Sequence, residues 1–141
     1  IKQMQFQSLA MSMTMLKIRN NRLIMSAAGM PPVYLFRNKH KIIEEHLMEG
    51  MPLGTMDNFP YELKEMELFS GDTILLMSDG FPELNNQQNE MFGYKRAKNS
   101  FEEIADKEPE RIITYLKEAG SMWVNGKEPD DDVTFVVIKI K

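Results

Sequence analysis

The sequence predicts an α+β domain built on a mainly antiparallel sheet. Three observations carry this. Strand-length apolar or alternating runs fill the first half of the chain, helical patterns follow, and a last strand-like run closes it. No glycine-rich phosphate loop leads from a strand into a helix, as a doubly wound parallel sheet requires. No internal repeat is visible.

The elements follow in order. Residues 1–10 are weakly amphipathic and read as the tail of a helix that begins upstream. Residues 11–18 alternate Met-Ser-Met-Thr-Met, the mark of a half-buried strand. Arg19-Asn20-Asn21-Arg22 is a turn, because Asn tolerates positive φ, and 23–28 form the return strand. Gly29-Met30-Pro31-Pro32 breaks the pairing. Val33–Phe36 and Lys41–Glu45 make a second hairpin around the polar Arg37–His40. Gly50–Gly54 is a loop, and Tyr61–Leu68 an exposed or edge strand. After the Ser70-Gly71-Asp72 turn, the continuous apolar run Thr73–Met77 predicts a central, covered strand. A polar loop spans 84–90. Ser100-Phe101-Glu102-Glu103 has capping-box spacing and is expected to open a short helix. Pro109 begins a longer helix, with Ile112, Ile113, Leu116, Ala119 and Met122 as its apolar stripe. Val133–Ile140 is the last strand.

Composition bounds the function classes. The chain has 141 residues, 43% apolar and 27% charged, which fits one globular domain. Such a chain buries roughly 68% of its unfolded surface. No run approaches the ~18 apolar residues of a membrane helix, and no secretory signal is present. A net charge of -4 argues against nucleic acid, which favours a basic face. With no Cys, thiolate metal sites, disulfides and cysteine nucleophiles are excluded, and a reducing, cytoplasmic setting fits. The 13 Met lie mostly before residue 70, and core filling is the expected role for most of them.

The informative chemistry is acidic. Asp79 follows the apolar run directly, in Ser78-Asp79-Gly80, where Gly80 lets the chain turn sharply. Asp130-Asp131-Asp132 stands directly before the last strand. Three adjacent carboxylates repel unless something positive shares them, and Mg²⁺ or Mn²⁺ wants such oxygen ligands. On spacing alone, an ordinary Asp-Gly turn and a solvated acidic loop narrowly win over a cation site. His40 and His46 lack a second His at ligand spacing and read as surface. Glu83 is an outer acid or the start of a solvent-facing loop. Ser78 lacks the Gly-x-Ser-x-Gly context of a nucleophile. Trp123 reads as core. Arg37, Lys39, Lys41, Lys95 and Arg96 read as ordinary surface that a phosphorylated partner can use.

Five motifs occur in one order: Ala28-Gly29-Met30-Pro31-Pro32, Gly50-Met51-Pro52-Leu53-Gly54, Gly71-Asp72 through Ser78-Asp79-Gly80-Phe81-Pro82-Glu83, Phe92-Gly93, and Asp131-Asp132-Val133-Thr134. Together they resemble the bacterial SpoIIE-like branch of the metal-dependent Ser/Thr protein phosphatases, the PPM family. The resemblance runs from the first hairpin to the C-terminus. It implies a two-layer antiparallel β-sandwich flanked by helices, with a two-metal Mn²⁺ or Mg²⁺ centre at one edge. By position, Asp79 and Asp131 resemble metal ligands, Asp132 the neighbour that is often Asn, and Gly80 the glycine whose carbonyl contacts metal. It implies hydrolysis of phosphoserine or phosphothreonine on a regulatory protein, such as an anti-sigma-factor antagonist, by a metal-activated water and without a phosphoenzyme.

Two departures qualify the expectation. The family's earlier Gly-Gly-Asp motif, whose Asp bridges the metals, has no counterpart in the chain. Met30 stands where the family usually has His. Residues 1–141 are therefore expected to be the C-terminal part of a single phosphatase domain, with the N-terminal part missing and little activity alone. A sensor or receiver domain, and a membrane anchor in the parent, are expected upstream, with no membrane contact by this segment. The exposed sheet edges of such a piece favour self-association, above all through strand 11–15. The alternatives are a pseudophosphatase that binds without catalysis and a purely structural α+β domain.

Overall fold

A computed structural model describes residues 10–141, so the expected N-terminal helix tail lies outside the described residues. In chain order they form β1 (Met13–Arg19), β2 (Arg22–Ala28), β3 (Val33–Arg37), β4 (Ile42–His46), β5 (Lys64–Glu67), β6 (Thr73–Met77), α1 (Gly93–Ile104), α2 (Pro109–Val124) and β7 (Phe135–Lys139). Two antiparallel sheets and two helices give the α+β class read from the sequence. The described residues group into two compact units, 10–32 with Leu47–Leu68, and Val33–His46 with Phe69–Lys141.

The first unit carries the sheet β1-β2-β5. The β1–β2 hairpin turns at Asn20 and Asn21, both at positive φ, 50° and 58°, as a tight two-residue hairpin loop demands. Leu23, Met25 and Ala27 alternate as buried residues along β2, and Ala28 at its end is buried as well. β5 pairs with β2 at the sheet edge, shorter than the 61–68 span expected. Strand β1 forms the other edge; Met15 pairs with Ser26, on the face away from buried Leu23 and Met25, and Ile18 lies next to the hairpin turn, and both stay exposed. The core role expected for most Met is thus overturned. Met25, Met48 and Met77 are buried, whereas Met11, Met15, Met51, Met56, Met91 and Met122 are exposed.

The second unit carries the sheet β4-β3-β6-β7. β6 lies between β3 and β7, which explains why Thr73, Ile74, Leu75 and Met77 are buried. Tyr34, Phe36, Leu75 and Met77 from this sheet join a core with Phe101 of α1 and Leu116 of α2. Each such large apolar side chain contributes roughly 1.5–3 kcal/mol on burial. The first helix begins at Gly93, not at Ser100. Ala97, Phe101 and Ile104 fall on one face at helical spacing and bury it, so packing extends the helix back past the capping-box residues. Pro109 occupies the first turn of α2 as expected, and Asn125 ends it in the left-handed conformation. The buried row of α2 is Ile112, Leu116, Gly120 and Val124, a strict four-residue step. Met122 falls off that row and is 81% exposed, against expectation.

A buried charge staples the start of β6 to the β3–β4 hairpin. Asp72, almost fully buried, accepts hydrogen bonds from the Arg37 guanidinium at 3.0 Å, the Asn38 amide at 3.0 Å and the Phe69 amide at 3.1 Å. Arg37 also reaches Glu44 at 2.9 Å, and Glu44 meets His46 at 3.2 Å. His46 is therefore half-buried in this network and not a free surface residue. Burial alone would raise the Glu44 carboxyl, but hydrogen bonding and charge from Arg37, then from His46, hold it below its ordinary value of 4.5.

Two outcomes are expected. Asp72→Ala leaves the Asn38 and Phe69 amides without their acceptor and removes one of the carboxylates on Arg37, and destabilises the protein by about 3 kcal/mol in urea unfolding. A carboxylate with a lowered folded pKa contributes stability that is fully present above its unfolded value and lost as pH falls through the folded one. Glu44→Gln therefore flattens the loss of stability below about pH 4.5, read from Tm against pH.

Candidate functional site

Strands β6 and β7 run antiparallel, from Thr73↔Lys139 to Met77↔Phe135. Residues after the end of β6 therefore face residues before the start of β7. The ladder continues one step, with the Ser78 amide donating to the Thr134 carbonyl at 3.0 Å. Beyond it stand the two acidic turns singled out in the sequence, Asp79-Gly80 and Asp130-Asp131-Asp132. The structure brings them together.

Gly80 is buried against the other turn. A Cβ at Gly80 would run into the Asp132 carbonyl oxygen, and would lie 3.0 Å from the Asp132 carbonyl carbon and 3.4 Å from the Asp131 oxygen. Glycine is required here for space, not for positive φ. The next residue, Phe81, is fully buried and fixes the turn from below. Its ring packs at 4.9 Å from Phe92 and 4.8 Å edge-on from Phe135 of β7. The Glu83 amide closes the turn onto the Asp79 carbonyl at 3.0 Å, and the Gly93 amide ties the head of α1 to the Pro82 carbonyl at 2.7 Å.

A cavity of about 340 Å³ opens at this edge, lined by Gly80, Glu83, Asn85, Met91, Asp130 and Asp131. Asp79 is exposed beside it and is not among its lining residues. The Asp131 carboxylate accepts from the Asp132 amide at 2.7 Å. Asp132 is exposed and is not among the lining residues, while its carbonyl accepts from the Ser78 hydroxyl at 2.9 Å. His40 and His46 lie outside this cavity.

Sequence reasoning left out two residues. Asn85 donates to the Asp130 carboxylate at 3.2 Å and so occupies that acid. Tyr94 is partly exposed on the first turn of α1. Burial, then the negative charges of Glu83 and Asp79, push its phenol above its ordinary pKa, which places the hydroxyl in the field of both acids. Its position directly after Phe92-Gly93 was the available signal. Trp123 packs half-buried against the core: its indole donates to the Leu84 and Glu90 carbonyls at 3.2 and 3.1 Å, and Arg96 stacks on its ring at 4.3 Å.

The donor chemistry fits a hard divalent cation: carboxylate and carbonyl oxygens, with no sulfur or imidazole. Among the described residues, no group of three or more His, Asp or Glu is placed to hold an ion. Gly80→Ala forces the two turns apart and is expected to cost about 1–3 kcal/mol in urea unfolding, with the amide shifts of 131–134 moving most by NMR.

The family model for stage II sporulation protein E (SpoIIE) matches residues 2–141. No curated protein sequence matches at a significant level. Solved structures do. The SiaA-PP2C domain of Pseudomonas aeruginosa is similar over 99% of this chain and 56% of its own, at 16% identity and a TM-score of 0.83. The phosphatase domain of the cell-fate determinant SpoIIE from Bacillus subtilis, presoaked with Mn, is similar over 93% of this chain and 56% of its own, at 18% identity and a TM-score of 0.67. The Mycobacterium tuberculosis serine/threonine phosphatase PstP/Ppp is similar over 99% of this chain and 64% of its own, at 16% identity and a TM-score of 0.61. The chain thus spans somewhat over half the length of these structures and has the fold of their matching part. Since the family match runs through both units and both acidic turns, the chain belongs to the stage II sporulation protein E (SpoIIE) family.

Proposed function

We propose that the chain supplies part of a metal-dependent protein serine/threonine phosphatase domain, working in the cytoplasm in bacterial signal transduction. The carrying observation is the convergence of Asp79-Gly80 and Asp131 at one sheet edge, beside an open cavity. In this reading Asp79, Asp131 and the Gly80 carbonyl hold Mn²⁺ or Mg²⁺, with Asp132 as a weaker candidate. When bound, such a cation supplies a Lewis acid for a phosphoryl oxygen and lowers the pKa of water. The chain's own residues then have simple tasks. Gly80 keeps the two turns close, Phe81 holds the Asp79 turn rigid, and Glu83 and Asp130 line the entrance. With no Cys in the chain, no thiol nucleophile competes with water as the attacking group.

The substrate in this proposal is phosphoserine or phosphothreonine on a regulatory protein, of the anti-sigma-factor-antagonist kind, and an upstream sensor or receiver domain governs access. A pseudophosphatase reading rests on a specific feature, Met30 at the family's His position.

The test is hydrolysis of a phosphothreonine peptide by the full-length protein with Mn²⁺. Asp79→Asn and Asp131→Asn are each expected to lower kcat/KM by about 100-fold or more. Unchanged rates in both variants overturn the site, and an inert wild type that still binds the phosphopeptide favours the binding module.

A further inference from the structure

Ser78 stands between the end of β6 and Asp79, and its side chain does something a strand residue ordinarily leaves to the backbone. In the antiparallel ladder, the Ser78 amide donates to the Thr134 carbonyl at 3.0 Å. The return bond of such a pair runs from the partner amide to the backbone carbonyl. Here the Thr134 amide donates instead to the Ser78 hydroxyl oxygen, at 3.0 Å. The same hydroxyl donates its proton to the Asp132 carbonyl at 2.9 Å. One hydroxyl thus both accepts and donates, as its chemistry allows. Its two partners bracket Val133, directly after Asp131-Asp132.

The consequence is geometric. The side-chain bond satisfies the Thr134 amide in place of the Ser78 carbonyl, while the Ser78 amide stays in the ladder, so the chain can turn away at Asp79-Gly80. The second bond holds the Asp132 carbonyl, the same atom that a Cβ at Gly80 would strike. Ser78 therefore fixes the distance between the two acidic turns from one side and Gly80 from the other. We propose that Ser78 is a positioning residue that sets the register of Asp131 against Asp79, and so the affinity of the site for its cation. This rests on the reading of these acids as cation ligands. It assigns Ser78 no role as nucleophile, and no bond to substrate.

Threonine preserves the hydroxyl. Alanine removes both bonds. Cysteine keeps the size but offers only a weak donor and acceptor. The measurement is isothermal titration of the full-length protein with Mn²⁺ alone, followed by steady-state hydrolysis of the phosphopeptide. Ser78→Ala is expected to weaken Mn²⁺ about ten-fold or more, the usual scale for removing an outer partner of a ligand. Ser78→Thr is expected to restore it, with the metal concentration for half-maximal rate shifting in parallel and the peptide KM unchanged. If Ser78→Ala fails to fold by near-ultraviolet circular dichroism, Ser78→Cys takes its place with the same expected direction. Wild-type Mn²⁺ affinity in the folded variant, alongside loss in Asp131→Asn, overturns the role of Ser78 and leaves the site intact. Wild-type affinity in Asp131→Asn overturns the site itself, and the role of Ser78 with it.

Discussion

The antiparallel pairing of β6 with β7 is the constraint from which the site follows. Strand β6 ends where β7 begins, so the turn leaving one strand must face the turn entering the other. Two acidic segments distant in sequence become neighbours without any special device of their own. What the local sequence adds is closeness: a glycine where a side chain has no room, and a serine whose hydroxyl bonds across the gap.

The surroundings make this arrangement rigid in two ways. From below, Phe81, Phe92, Phe135 and Trp123 form a chain of ring contacts that pins the Asp79 turn, the head of α1, the start of β7 and α2 to one another. From the side, loop 84–90 is built on Asn86, whose side-chain oxygen accepts from the Gln88 and Glu90 amides at 2.9 and 2.8 Å. That loop also reaches the segment before Asp131, through Gln87 to the Asn125 carbonyl, Lys127 to Asn89, and Asn85 to Asp130. Rings and hydrogen bonds thus hold both acidic turns, and the loop beside them, in one arrangement.

The strands and the acids were legible in the sequence because their signals are local. Alternation gave β1, the continuous apolar run gave the central β6, and the doubled Asn gave the first hairpin turn. The start of α1 was not legible, since its residues from Gly93 are made helical by the burial of Ala97 and Phe101 rather than by a cap. The Met residues misled for a related reason. Apolarity marks a candidate for burial, but Met15 lies on an edge strand and Met122 off the buried row of its helix. At the acidic edge, the family resemblance pointed to Asp79, Gly80, Asp131 and Asp132, while Ser78 was read only for a nucleophile's context and Asn85 and Tyr94 were not singled out. Their part depends on partners far along the chain, and no single-sequence pattern encodes those.

The separation of the two acidic turns has a further meaning. The Ser78 to Asp132 bond closes 54 residues of chain, a segment that contains loop 84–90 and both helices. The entropy of closing a loop grows only with the logarithm of its length, by about 0.6 kcal/mol for each doubling. Inserting another helix, or lengthening the 84–90 loop, therefore burdens the junction less than removing one of its hydrogen bonds does. The fold holds its acidic edge by a few short contacts and leaves the intervening span free to vary in length.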